Sequence, residues 1–378
     1  MLTTLQRAVQ KGRLWSSLLP YLAPIAPART SVWRPKLPIQ LRQRAQGASG
    51  TSAGAAAAAA AARLHGATAH QAAAPPSDGP VVVVALGGNA LLKRGEPLTM
   101  EVQQHNAKGA AAAIKQLVDA GFRVCVTHGN GPQVGMLALQ DPQARLEVLD
   151  AETEGQLGYI LELELNNALR GREVAALLTQ VVVDPADPAF SSPTKQVGPH
   201  YSKEEAEAYA AEKGWAVAPD GDTFRRVVAS PLPRDIVEAR AVQVLLQAGI
   251  LVVCCGGGGI PVAVDAASGE RYGVEAVVDK DEASALLGCK LKADWLLLLT
   301  DAEAIYDPAG WPQERRPIAS PVRCSELQGR SFASGSMAPK VAAACRFVTA
   351  TGGKAAVGNM SDALAILQGR AGTTIVAG

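Results

Sequence analysis

Aromatic residues are scarce in this 378-residue chain, at 4%, and no apolar run reaches the ~18 residues that a membrane-spanning helix requires. The sequence therefore predicts no transmembrane helix and no membrane partner. Net charge is almost absent too. The chain carries 36 Lys/Arg against 35 Asp/Glu, which argues against a nucleic acid held by general electrostatics. Six cysteines (Cys125, Cys254, Cys255, Cys289, Cys324 and Cys345) form no C-x-x-C pair and have no neighbouring histidine. They read as reduced and structural, and His105, His128 and His200 are too scattered for a zinc site, so no protein-held metal is expected. Two nucleotide fingerprints are missing as well. There is no G-x-x-x-x-G-K-[ST], and Gly256–Gly259 leads into Ile260-Pro261 and a turn instead of a G-x-G-x-x-G helix. A P-loop and a dehydrogenase-type dinucleotide site are both excluded.

What is present divides into two unlike parts. Residues 1–80 hold nine bases (Arg7, Lys11, Arg13, Arg29, Arg34, Lys36, Arg42, Arg44, Arg63) and one acid, Asp78, whereas the rest of the chain is net acidic. On a helix, Leu2, Leu5 and Val9 share a face opposite Arg7 and Lys11, and a Gly-Ala-rich stretch follows from Gly50 to Ala62. An Arg-rich, acid-poor amphipathic start followed by low complexity is the pattern of an organelle transit peptide. Residues 1–79 are thus expected to be a disordered leader, with the mitochondrial matrix favoured over the chloroplast stroma. The folded body is expected over 80–378.

Within that body, fully apolar strand-length runs alternate with helical stretches. Val81–Leu86, Phe122–Thr127, Val174–Leu178, Ile250–Cys254, Trp295–Leu299, Lys354–Val357 and Thr374–Val376 read as strands. Helices are expected over 99–120, 151–169, 234–248 and 281–288, and from Pro339 onward. Apolar strands alternating with helices imply an α/β fold whose mostly parallel sheet is covered on both faces. Residues 184–228 break the rhythm with five prolines and a charged helix near 203–213, the signature of an inserted lid.

The chemistry collects where strands end. Gly87-Gly88-Asn89, Gly129-Asn130-Gly131, Gly256–Gly259 and Thr300-Asp301 each follow an apolar strand. In open α/β sheets the ligand crevice lies beyond these carboxyl ends, and glycine there lets backbone N–H groups approach an anion. A tight turn alone also calls for glycine, yet four such ends in one chain favour phosphate binding. A phosphoryl-transfer site needs cations above all. Three lysines stand in distinctive contexts: Lys195 in the lid, Lys280 between Asp279 and Asp281, and Lys340 after Gly335-Ser336-Met337-Ala338-Pro339 at a helix start. A lysine at a helix N-terminus opposes the helix dipole, which favours a bound anion beside Lys340.

Eight segments together resemble carbamate kinase, of the amino acid kinase fold family. They are VVVVALGGNAL (81–91), THGNGPQVG (127–135), GQLGY (155–159), DPAFSSPTKQVGPHY (187–201), RRVVASPLP (225–233), GGGGIPV (256–262), GVEAVVDKD (273–281) and FASGSMAPKV (332–341). The resemblance implies a three-layer α/β/α sandwich that transfers a phosphoryl group reversibly between ATP and carbamate, giving ADP and carbamoyl phosphate. It also implies Mg²⁺, held mainly by the phosphates, and a homodimer. By position, Gly87, Gly88, Asn89, Gly129, Asn130 and Gly131 would hold carbamate and the transferred phosphoryl. Lys195, Lys280 and Lys340 would neutralise it and Asp281 would orient the lysines. Gly256, Gly257, Asp279, Thr300, Asp301, Tyr306, Met337 and Lys340 would serve the nucleotide. Gln196 and Ala229 stand where the family commonly has proline, both in or beside the lid. Relatives acting on a carboxylate, such as acetylglutamate kinase, commonly carry lysine just before the first glycine pair, where this chain has Ala85. A catalytically inactive nucleotide sensor would have no need of Lys195, Lys280, Asp281 and Lys340 together.

Overall fold

The six apolar residues Val81–Leu86 form β1, and every one of them is buried. In this computed structural model, which describes residues 78–378 apart from Arg94, Pro142, Gly310 and 334–336, β1 is the pivot of the main sheet. The transit-peptide reading concerns residues outside the described ones. β1 pairs in parallel with β2 (Arg123–His128) on one side and β12 (Trp295–Thr300) on the other. The eight-stranded order is β13 (Val322–Arg323), β15 (Thr373–Val376), β14 (Lys354–Asn359), β12, β1, β2, β9 (Leu251–Val253) and β3 (Val174–Ala176). The β14–β15 pair is antiparallel and the other pairings are parallel. The chain leaves β1 toward β2 and later returns on the opposite side at β12, so the strand order reverses between them. That is where an open α/β sheet leaves a crevice.

Alternate residues of β1 face opposite cores. Val81, Val83 and Ala85 pack with α5 (Ala239–Gln247), α6 (Lys280–Leu291) and α8 (Met337–Thr351). Val82, Val84 and Leu86 pack with α1 (Met100–Asp119), α3 (Leu146–Ala168) and α9 (Ala363–Leu367). Helices on both faces give the three-layer α/β/α sandwich expected above.

Two smaller sheets adjoin it. One has the order β11 (Arg271–Gly273), β10 (Ile260–Val264), β4 (Gln180–Val183) and β8 (Pro233–Ile236). The other is an antiparallel sheet of β5 (Lys195–Tyr201), β7 (Thr223–Val228) and β6 (Ala216–Asp220), accompanied by α4 (Lys203–Lys213). This three-stranded sheet is the inserted segment. It touches the body through backbone: a Cβ on Gly135, in α2 (Gly131–Gln140), would lie 1.9 Å from the Gly198 Cα of β5.

Several expectations are corrected. The helix expected over 234–248 begins at Ala239, because Pro233–Ile236 instead pairs with β4 as an edge strand, where proline is tolerated. Ile260–Val264 is a strand, not a turn, and α3 begins at Leu146, five residues before the expected start. α2 has no counterpart in the sequence reading; its Pro132 sits in the first turn, where the missing N–H costs nothing. One short helix, α7 (Cys324–Gln328), completes the set.

Candidate active site

Backbone turns from two adjacent strands converge on one lysine. A Cβ on Gly129 would stand 3.4 Å from the Gly88 nitrogen and 3.7 Å from the Lys280 Cε, so glycine lets β1, β2 and α6 meet. The Gly87 N–H donates to the Leu299 carbonyl at 3.0 Å, joining the β1 turn to the end of β12. The first turn of α6 is tied to β2 through Ser284. Its hydroxyl donates to the Lys280 carbonyl at 2.6 Å and bonds the Thr127 hydroxyl at 2.6 Å. The side chain of Asn89 lies outside the described residues, as does Gly335.

The three candidate lysines all pair with acids at the start of α6. Asp281 binds Lys280 Nζ with one carboxylate oxygen at 2.5 Å and Lys340 Nζ with the other at 2.8 Å. Burial pushes the Asp281 carboxyl up, but the two ammoniums overcome it and hold the group far below the usual range. Burial also pulls Lys280 below its ordinary value, against the attraction of Asp281. Asp281 is therefore charged wherever the protein is folded near neutrality, and Lys280 is a cation held in place by it. Lys195 reaches from β5 to form an ion pair with Asp279. That pair overcomes the effect of burial on Asp279 and lowers its carboxyl.

Asp279 is the α6 N-cap, accepting from Asp281 N at 2.9 Å. Asp279, expected to serve the nucleotide, caps α6 and pairs with Lys195 of β5. For Lys340, the expected anion at the helix start is met within the chain by Asp281.

Lys340 also borders a cavity of about 690 Å³, with Thr300, Asp301, Tyr306, Trp311 and Met337 among its walls. Tyr306 and Trp311 stack there with ring centroids 5.5 Å apart, a flat apolar surface suited to a purine ring. Trp311 lay in a loop without strand or helix pattern, and the sequence reading did not single it out. Gly256 and Gly257 are placed elsewhere than the reading expected. They do not line this cavity. Gly256 packs against His128 and Glu154, and Gly257 against the Asn130 amide.

Beneath the Gly129-Asn130-Gly131 turn lies a buried polar layer that the sequence reading also missed. Asn130 Nδ2 donates to Asp150 Oδ1 at 3.0 Å and to Thr153 Oγ1 at 2.9 Å. Glu154 accepts from Gly256 N at 2.8 Å and from Thr179 N at 3.1 Å. Burial raises the Asp150 carboxyl well above its ordinary value and Glu154 to about 8, outweighing the hydrogen bonds they accept. Burial likewise lowers His128 to about 4, leaving a neutral imidazole whose Nδ1 lies 3.3 Å from the Gly129 carbonyl. This layer carries little charge of its own and leaves the lysines as the dominant field at the strand ends.

Comparison with known proteins agrees with this geometry. Residues 80–359 match the amino acid kinase family. The chain is 52% identical over 305 residues to a carbamate kinase of Rhizobium meliloti (strain 1021), covering 78% of this chain and 92% of the relative. It is 49% identical over 302 residues to the carbamate kinase of Haemophilus influenzae, covering 78% and 96%. Among solved structures, carbamate kinase from Giardia lamblia bound to AMP-PNP superposes with a TM-score of 0.71 at 37% identity, covering 80% of this chain and 100% of that one. The same enzyme bound to citric acid reaches 0.75 with the same coverage. With its strand-end glycines and its lysine–aspartate cluster, the chain belongs to the amino acid kinase family, among the carbamate kinases.

Proposed function

We propose that this chain transfers a phosphoryl group reversibly between ATP and carbamate, and that it works in the direction of ATP synthesis from carbamoyl phosphate. One observation carries the reading. Asp281 holds Lys280 beside the Gly88 and Gly129 turns and Lys340 on the wall of the 690 Å³ cavity, so one carboxylate links the acceptor turns to the nucleotide space. In the ATP-forming direction a β-phosphate oxygen of ADP attacks the phosphorus of carbamoyl phosphate and the bond to the carbamate oxygen breaks. Negative charge spreads over the equatorial oxygens, and fixed cations stabilise it without moving. Lys195, reaching from β5 to Asp279, completes the set, and the inserted segment that carries it would close as a lid and exclude water from a labile acyl phosphate.

Mg²⁺ supplies further charge neutralisation of the phosphates when it is bound. Asp279 and Asp281 are already engaged by lysines, and no group of three His, Cys, Asp or Glu side chains among the described residues could cage an ion. That donor set suits an ion carried by the nucleotide phosphates. Tyr159 on α3 and Leu178 after β3 are both exposed, and Leu178 approaches Gly155 of the same helix, one turn before Tyr159. Their exposed apolar side chains support the reading of the protein as a homodimer. The basic leader supports import into an organelle, with the mitochondrial matrix first.

The deciding experiment incubates purified protein with ADP, Mg²⁺ and carbamoyl phosphate and follows ATP. Steady ATP formation, with acetylglutamate and ATP giving no turnover, is the expected result. Turnover of acetylglutamate without ATP formation from carbamoyl phosphate would overturn the assignment. Light scattering of the eluted peak and fractionation of tagged full-length chain test the dimer and the compartment.

A further inference from the structure

The Asn130 amide lies in the middle of the proposed acceptor loop, and the groups that orient it sit behind it, in α3. Asn130 is buried, with Gly257 against its amide; a Cβ at 257 would come within 2.2 Å of Nδ2 and 2.6 Å of Oδ1. Which amide atom faces which way is decided by the hydrogen-bond network. A protonated Asp150 is compatible with either orientation, because a carboxylic acid both donates and accepts. Thr153 selects one. Its hydroxyl oxygen lies 2.9 Å from the Leu149 carbonyl and 3.1 Å from the Asp150 carbonyl, both acceptors for its single proton. With that proton donated back along the helix, the Thr153 oxygen accepts from Asn130, which favours an N–H there; the flipped amide would cost the helix back-bond. Both Nδ2 hydrogens are then taken, by Thr153 and Asp150, and Oδ1 is the amide atom left for a ligand.

We propose that Thr153, backed by Asp150, is a positioning residue that sets substrate selectivity by holding the Asn130 amide oxygen toward the amino group of the acyl phosphate. The proposal rests on the carbamate reading above and extends it. Carbamoyl phosphate carries an NH₂ where acetyl phosphate carries a methyl group, and only the former can donate to Oδ1. A substrate lacking the donor leaves a nearly buried acceptor unpaired, which is how a hydrogen-bonding site rejects a close analogue. Thr153 is fully buried and lies behind Asn130, so its effect reaches the substrate through the amide alone.

The test compares carbamoyl phosphate with acetyl phosphate as phosphoryl donors to ADP in full-length protein. Wild type is expected to prefer carbamoyl phosphate. Thr153→Val keeps the shape and removes the hydroxyl, so kcat/KM for carbamoyl phosphate should fall about ten- to a hundredfold. That for acetyl phosphate and the KM for ADP should change less than about threefold, since neither uses the amide oxygen. Thr153→Ser, which restores the hydroxyl, should recover the preference. An unchanged preference in Thr153→Val, an equal loss for both donors, or failure of Thr153→Ser to recover it would each overturn the proposal. If Thr153→Val does not accumulate as folded protein, Thr153→Ala is scored by the same ratio. A wild type indifferent to the two donors would instead defeat the carbamate reading on which the proposal rests.

Discussion

Replacing Asp281 with asparagine keeps the shape of the side chain and removes one charge on which two ammoniums depend. The Asp281 side chain is 6% exposed, and those of Lys280 and Lys340 are 11% and 13% exposed, so water cannot take its place. Removing one partner of a buried ion pair costs roughly 3–5 kcal/mol, mostly for the charge left behind. Lys280 is already pulled down by burial, so once Asp281 is neutral it can shed its proton, which keeps the loss near the lower end. At about 2–4 °C per kcal/mol, the melting temperature should fall by about 6–12 °C.

The catalytic loss should be larger in proportion. Lys280 would be partly neutral and Lys340 free to swing, at the moment when charge spreads over the phosphoryl oxygens. Groups of this kind contribute about 10²–10³ in rate. ATP formation from ADP and carbamoyl phosphate, read through a coupled hexokinase assay below the melting point, should show kcat reduced by that factor. The KM for ADP should change less than about threefold, because the ring-stacking wall is untouched. The pH dependence gives a further check. A carboxylate whose folded value is depressed contributes stability above its unfolded value of about 3.9 and loses it as pH falls through the folded value. The part of the melting-temperature gap that comes from the Asp281 charge should thus shrink only in acid, while a Lys280 that sheds its proton in the variant makes the gap narrow again as pH rises. A kcat reduced less than tenfold would refute the orienting role.

Lys195→Ala should lower kcat by about two orders of magnitude with little change in ADP affinity, since the lysine meets Asp279 away from the stacked rings; retained kcat with weakened ADP binding would make it a lid surface residue. Trp311→Ala should do the reverse, raising the KM for ADP roughly three- to tenfold as one stacked aromatic is lost, with kcat nearly constant. Glu154→Gln should change how stability depends on pH. Glu154 titrates near 8 in the fold against about 4.3 unfolded, so the native state holds the extra proton and wild type loses stability as pH rises between those values. The variant lacks that slope, and parallel melting curves for the two proteins from pH 5 to 8.5 would contradict a buried neutral carboxyl.

The sheet was legible because a strand buried on both faces shows in sequence as an unbroken apolar run, and Val81–Leu86 and Trp295–Leu299 are such runs. The lysines were legible for a different reason: each sits in a short segment with a glycine, proline or acid at a fixed offset, and that context travels with the chemistry. The segment 184–228 stood out by its prolines, but its strands did not, since β6 and β7 are half-buried and their pattern is weak. The layer beneath Asn130 was hidden by a rule that is usually right, namely that acids on a helix face water. Yet the signal was there. The buried stripe of α3 runs through Leu146, Leu149, Leu157, Leu161 and Leu165, and the same stripe passes through Asp150, Thr153 and Glu154. A polar residue interrupting an apolar stripe at helical spacing has two outcomes: it breaks the packing, or it meets a backbone or side-chain partner buried with it. Here the partners are the Asn130 amide and the N–H groups of Gly256 and Thr179, which belong to other elements and cannot be paired with the helix until the fold brings them there. The residues that touch a ligand carry local motifs, whereas those that aim them are marked only by their breach of a pattern. The second kind of mark becomes readable once the stripe is drawn before its polar members are assigned to solvent.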